Sequence, residues 1–222
     1  MSMQKIIISA ELKALCPQLR LCCIGADVIV QNSSMELLSE ISTQMELIKK
    51  SFTIETIRDI PTILASRTAY KSCGKDPARY RLSAEALLRR VVSGKELYYI
   101  NNVVDQLNLV SITTGFSIGG YDADQIDGSV VFGIGLANEP YSGIGRGELN
   151  IEFLPVFRDD VGPFGTPTSD SQRTEVTEKT TNFLMVLIDF GGDVLLEKAS
   201  CLAGNLLKKY CQAEKLEILM IE

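Results

Sequence analysis

Apolar residues recur along this chain with two different spacings. Runs at 4–9, containing Ile6, Ile7 and Ile8, and at 19–30 are dense in Ile, Val, Leu and Cys and predict strands. Between them and the first basic segment the rhythm changes. Leu37, Leu38, Ile41, Met45 and Ile48 fall three or four apart, one face of a helix, and Ser34 stands where a cap belongs. A second helix is predicted from a Ser83 cap, with Ala86, Leu87 and Val91 as its buried stripe. Glu85 in its first turn and Arg89-Arg90 near its end suit the helix dipole, and Gly94 stops it.

Residues 97–155 read as β-rich and glycine-punctuated, with strand pieces at Val130–Ile134 and 148–153. A polar loop over 158–181 follows. Residues 183–188 are six consecutive apolar positions, the pattern of a strand covered on both faces. An amphipathic helix is expected over 194–210, with Leu195, Ala199, Leu202, Leu206 and Tyr210 inward, and a last strand over 216–221. Strands and helices mixed without strict alternation predict an α+β fold. Residues 1–62 read as an α/β lead-in, marginal alone at that size, packed on a core domain of 63–222.

Composition narrows the chemistry. The chain has 222 residues, 45% hydrophobic and 23% charged, enough for one sizeable core. It contains no His, which excludes Ser/His and Cys/His nucleophile pairs, a His base and His metal ligands. Six cysteines (Cys16, Cys22, Cys23, Cys73, Cys201 and Cys211) show no CxxC spacing and read as small buried apolar residues, with no metal site and no cofactor expected. Cys22 and Cys23, adjacent in a strand, are expected to point to opposite faces. Only Lys5 precedes the first apolar run and Glu11 ends it, far short of a secretory core, and 183–188 is too short to span a bilayer. A cytoplasmic protein without a membrane partner is expected.

The charge is uneven. The net charge is −6, yet 67–95 holds eight cations and two anions, a local +6 that leaves the rest at −12. Tyr70 and Tyr80 lie among these cations, so Arg79, Arg81, Arg89 and Arg90 are candidates for holding phosphates, with a solvated or ion-paired face as the other reading. Gly143-Ile-Gly145-Arg-Gly147 fits neither GxGxxG nor a P-loop and reads as hairpin turns. A third group joins Asn108, Ser111, Thr113, Thr114 and Gly119-Gly120-Tyr121-Asp122 with Ser169-Asp170-Ser-Gln-Arg173-Thr174, hydroxyls and carboxylates beside glycines that suit a polar pocket or ordinary turns.

Lys75-Asp-Pro-Ala-Arg-Tyr-Arg-Leu-Ser-Ala-Glu-Ala-Leu-Leu-Arg-Arg90, Ile100-Asn-Asn-Val-Val-Asp-Gln-Leu-Asn108, Ser117-Ile-Gly-Gly-Tyr-Asp122 and Asp170-Ser-Gln-Arg-Thr174 together carry a resemblance. Over about 65–215 the chain resembles the tRNA-binding and editing domain of the phenylalanyl-tRNA synthetase β subunit, in free-standing form. The resemblance implies a layered sandwich of two mostly antiparallel sheets with helices around a pocket. It implies tRNA or an aminoacyl-tRNA end as partner, and no DNA. Asn108, Ser111, Gly119, Asp122, Asp170 and Arg173 become the substrate-binding candidates. Gly119 stands where the synthetase pattern carries a histidine, and Val186 where it carries a pocket glutamate. No residue is assigned a catalytic role. Two functions stay open: an RNA-binding, editing-type protein acting on tRNA in trans, and a non-catalytic amino-acid or small-molecule module with no RNA partner. Oligomeric state is not read from the sequence.

Overall fold

The computed structural model describes residues 3–191 and 196–222. Its strands form two four-stranded sheets and one short hairpin. The first part of the chain gives β1 (Ile6–Ile8), α1 (Ala10–Leu15), β2 (Arg20–Asp27), α2 (Met35–Ser51), α3 (Pro61–Ser72) and α4 (Ser83–Val92). α5 (Asn102–Thr114), β3 (Ser117–Asp122), β4 (Val130–Ile134), β5 (Ser142–Gly143) and β6 (Gly147–Glu148) follow. β7 (Pro155–Arg158), β8 (Pro163–Gly165), β9 (Asn182–Asp189), α6 (Leu196–Cys211) and β10 (Glu214–Ile221) complete it.

The first sheet runs β1-β4-β7-β8 and the second β10-β2-β9-β3. Among the described residues only β1 and β4 pair in parallel; the other neighbours are antiparallel. This is the α+β sandwich of mostly antiparallel sheets expected from the sequence. β9 is central in its sheet, and its run from Phe183 to Ile188 is buried throughout. Alternate side chains serve two cores. Cys22, Ile24, Phe183, Met185 and Leu187 face α2, α4, α5 and α6, while Leu21, Cys23, Leu184, Val186 and Ile188 meet Phe132, Phe157 and Phe164 between the sheets. Cys22 and Cys23 therefore do face opposite ways. The layers are sheet, sheet and helices.

Ser34 caps α2 by accepting from the Leu37 amide at 3.2 Å, and Leu37, Ile41, Met45 and Ile48 are its buried positions. Ser83 is not a cap: it is the first residue of α4, its amide donates to the Pro167 carbonyl, and the buried stripe is Ala84, Glu85, Leu88 and Val91. The β-rich reading of 97–155 missed α5, which Asn101 caps through the Val104 amide. α5 is buried around most of its girth, so it lacks the polar face by which amphipathic helices are recognised. Residues 149–153 are not strand. Of the helix expected over 194–210, Val194 and Leu195 lie outside the described residues. Among the described residues no helix is long and apolar enough to cross a membrane. Five cysteines are buried and Cys201 is exposed.

Candidate functional site

β3 is an edge strand, hydrogen-bonded to β9 on one side only. Its free edge is covered by the 166–171 turn: the Gly120 amide donates to Asp170 Oδ2 at 3.2 Å. Gly119 and Tyr121 share the face that looks into the inter-sheet core. Tyr121 is fully buried, edge-on to Phe164 with ring centroids 4.9 Å apart. Its hydroxyl lies where side chains would begin on two glycines. A Cβ built on Gly119 would stand 2.0 Å from it, and one on Gly165 2.1 Å.

That hydroxyl makes no hydrogen bond of ordinary geometry, though it lies close enough to the Asp170 carboxyl for the two to interact. Burial pushes the Asp170 carboxyl up to about 7, against the opposing pull of the Gly120 amide and the Tyr121 hydroxyl. Burial and the neighbouring Asp170 charge both hold the Tyr121 and Tyr141 phenols above the usual range. Tyr141 donates to the Ser169 carbonyl at 2.6 Å, and Tyr70 pairs with the Thr168 hydroxyl at 2.9 Å. The turn is thus tied down by the Tyr70 and Tyr141 hydroxyls, with the Tyr121 hydroxyl beside its Asp170 carboxyl.

Beside this cluster opens a cleft of about 750 Å³ with mixed polar and apolar walls, which include Glu139, Tyr141, Glu148, Asn150, Ser171 and Arg173. The β5–β6 hairpin forms one lip, with Gly145 and Gly147 at φ +66° and +70° and exposed Arg146 between them. Those positive angles explain why glycine occupies both places, and they make this segment a tight hairpin, not a phosphate loop. Tyr80 packs on the small core that contains Tyr141, and its neighbours Arg79 and Arg81 are exposed.

Most of the remaining candidates have protein partners. Arg173 forks onto Asp159, with Nη1–Oδ2 at 3.0 Å and Nη2–Oδ1 at 2.8 Å, and also donates to the Gln125 and Gly162 carbonyls. Asp122 accepts from the Asp124 amide at 3.1 Å and the Thr180 hydroxyl at 2.9 Å. Ser111 donates to the Phe116 carbonyl at 2.8 Å, closing the end of α5. Half-buried Asn108 sits one turn earlier in α5. Arg89 and Arg67 both bind the buried Glu85 carboxylate, at 2.9 and 2.8 Å. Arg90 lies over the Tyr98 ring at 3.9 Å and donates to the Glu96 carbonyl. Among the described residues no group of three or more Cys, Asp and Glu is arranged to hold a metal ion.

A family model described as the B3/4 domain matches residues 65–204, more than half of the chain. The chain belongs to the B3/4 domain family. A similar solved structure is an N-terminal fragment of the phenylalanyl-tRNA synthetase β subunit from Pyrococcus horikoshii, at 14% identity and a TM-score of 0.48. The likeness covers 99% of this chain and 52% of that one, so this chain spans about half the length of that fragment. A comparison with curated proteins gives no match.

Of the residues singled out from sequence, this B3/4 domain brings Gly119 and Asp170 together around Tyr121. Arg173 and Ser171 line the cleft, while Asn108, Ser111 and Asp122 do not line it. The sequence reading did not single out Gly165, Tyr141 and Arg146, and it quoted Tyr121 without a role. The signal for Tyr121 was available: it lies two residues beyond Gly119, hence on the same face of a strand. Gly165 sits in a stretch read as loop and carried no such signal.

Proposed function

We propose that this B3/4 domain binds the aminoacyl-bearing end of a tRNA, the terminal nucleoside entering the cleft and the backbone phosphates lying against Arg79, Arg81 and Arg146. One observation carries the reading. These three arginines are exposed and, among the described residues, none is ion-paired, in a chain of net charge −6. Cations left free on an acidic protein are suited to phosphates, whose contact releases counterions. Arg89 and Arg90 contribute less, because Glu85 and Tyr98 already hold them.

Ester hydrolysis in trans is the finer form of this reading. The volume next to Gly119 is filled by Tyr121, which leaves no room for a side-chain base at that position. Deacylation would then rest on an oriented water and the terminal ribose hydroxyl, and positioning can supply at best about 7–11 kcal/mol. The second reading, an amino-acid-binding module without RNA, draws on exposed Glu148 in the cleft wall, which favours an ammonium group, whereas Glu139 is already held by Arg158.

Titration with tRNA at several salt concentrations tests the proposal. Binding should weaken linearly on a log–log plot, and Arg79→Glu, Arg81→Glu and Arg146→Glu should each reduce the slope by about one. Absence of tRNA binding at low salt, with a free amino acid bound instead, favours the second reading. Mischarged tRNAs incubated with the protein decide hydrolysis: decay no faster than spontaneous leaves a binding protein only.

A further inference from the structure

The geometry points to Tyr98 as a stacking platform for one unpaired base of the bound RNA, a role that rests on the RNA reading above for its partner. Tyr98, Tyr99 and Ile100 are three consecutive large side chains left exposed, Tyr98 at 69%. Single exposed apolar residues are ordinary, whereas a contiguous group of them is the mark of a contact surface. The segment that carries them is fixed. The Lys95 amide donates to the Arg90 carbonyl at 3.1 Å, Leu97 is buried in the core beneath the helices, and the Ile100 amide donates to Asp105 Oδ1 at 2.9 Å. Tyr98 and Tyr99 thus project from a backbone anchored on both sides of them.

The charge around this run selects the occupant. The Arg90 guanidinium lies 3.9 Å from the Tyr98 ring centroid, and its Nε donates to the Glu96 carbonyl. One face of the ring is therefore backed by a cation that sets its plane, and the exposure of the ring leaves the other face to solvent. Lys95 is exposed three residues earlier, at most about 11 Å along the backbone. Among the described residues neither Lys95 nor Arg90 is ion-paired. A flat ring held by one cation and flanked by a second suits single-stranded RNA: a base stacks on the ring and a neighbouring phosphate meets the cation. An apolar protein partner would instead cover both cations without supplying a counter-charge. Exposed Glu96 on the same segment opposes phosphate, so stacking carries more of the contact than charge does. A base inside a duplex is already stacked, which makes the occupant a loop or end nucleotide.

The chain contains no Trp, so Tyr98→Trp supplies a single fluorophore at the platform. A tRNA transcript should quench its emission, and a blunt RNA duplex should not. Tyr98→Ala should weaken tRNA binding roughly 5- to 150-fold, the span of losing one stacked base, and leave the salt slope unchanged. Tyr98→Phe keeps the π-face and should stay within about threefold of the parent. Lys95→Gln should instead lower the salt slope by about one. Thermal unfolding checks that these surface changes leave the fold intact. Equal tRNA affinity in Tyr98→Ala, with no quenching in Tyr98→Trp, overturns the platform and leaves the cleft reading standing. Quenching by tRNA whose affinity is unmoved by Arg79→Glu, Arg81→Glu and Arg146→Glu supports the platform and sinks the cleft reading. Absence of binding to any RNA overturns both. Self-association of the parent that Tyr98→Ala abolishes, with no RNA bound, makes the run a protein interface and overturns the platform as well.

Discussion

The Tyr121 hydroxyl occupies the place of a Gly119 side chain: an ideal Cβ on Gly119 would lie 2.0 Å from it. The glycine is therefore a packing requirement of the tyrosine two residues on. A larger side chain at 119, histidine included, has no room while Tyr121 keeps its position between Phe164 and the two glycines.

Gly119→Ala should destabilise the domain by about 2–4 kcal/mol, because overpacking a filled core forces the ring off its rotamer. The clash belongs to the pair, so the two substitutions should couple. In a Tyr121→Ala background Gly119→Ala should cost less by about 2 kcal/mol or more. Chemical denaturation of the four proteins in this cycle measures it, and additive costs would show that something other than Tyr121 excludes a side chain at 119.

The Tyr121 hydroxyl itself is buried without a well-formed hydrogen bond. A group desolvated but unpaired contributes nothing favourable, so Tyr121→Phe should be neutral or stabilise by up to about 1 kcal/mol. A fall in the midpoint of thermal unfolding would mean that its contact with Asp170 is a real bond.

Asp170 gives a pH signature. Its folded value, about 7, lies above the unfolded carboxylate value, so between roughly pH 4 and 7 the folded state holds the extra proton. Stability from this group is full below the unfolded value and is lost as pH rises through 7. Asp170→Asn keeps an acceptor for the Gly120 amide and cannot ionise. Raising the pH from 5 to 8 should cost the parent about 1–3 kcal/mol relative to the variant. Parallel pH profiles would place the titration elsewhere.

The long apolar strand β9 and the capped helix α2 were legible because each shows one clean periodicity and ends on recognisable chemistry. α5 was not, since Val103, Leu107, Val110 and Ile112 are buried along with Asn102, Asp105, Gln106 and Ser111, and polar residues inside look like polar residues outside. The candidate site divides in the same way. Gly119 and Asp170 could be picked from a linear pattern, yet the reason they belong together is the Tyr121 ring, a relation of volume. The cleft depends on Tyr141, Ser142, Glu148 and Arg173, which come together only when the β5–β6 hairpin folds onto the 171–173 turn through the Gly143–Ser171 bridge.

Arg173 tests whether a cleft residue is also a strut. Its partner Asp159 is buried and accepts from the Asp127, Val161 and Gly162 amides as well. Burial alone would raise the Asp159 carboxyl, but the Arg173 fork and these amides hold it below its usual value. Arg173→Ala should cost about 3–5 kcal/mol at pH 7, the penalty of a buried charge without its partner. A depressed carboxylate stabilises above its unfolded value and loses that contribution as pH falls through the folded one. The gap between parent and variant should therefore narrow below about pH 4, and denaturant titrations at pH 7 and pH 3 check this.

Glu85 separates fold from binding within the basic segment. Its buried carboxylate holds Arg67 and Arg89 at once, so Glu85→Gln removes one negative charge and weakens both bonds. Breaking a buried ionic group from one side should lower stability by about 2–4 kcal/mol. On the proposed RNA reading the same change should tighten tRNA binding severalfold at low salt, because two cations are released beside the loop that bears Arg79 and Arg81. Added salt should erase the gain, since it acts through screened charge. A variant that loses tRNA affinity in proportion to its loss of folded protein would show that these arginines only hold the segment together.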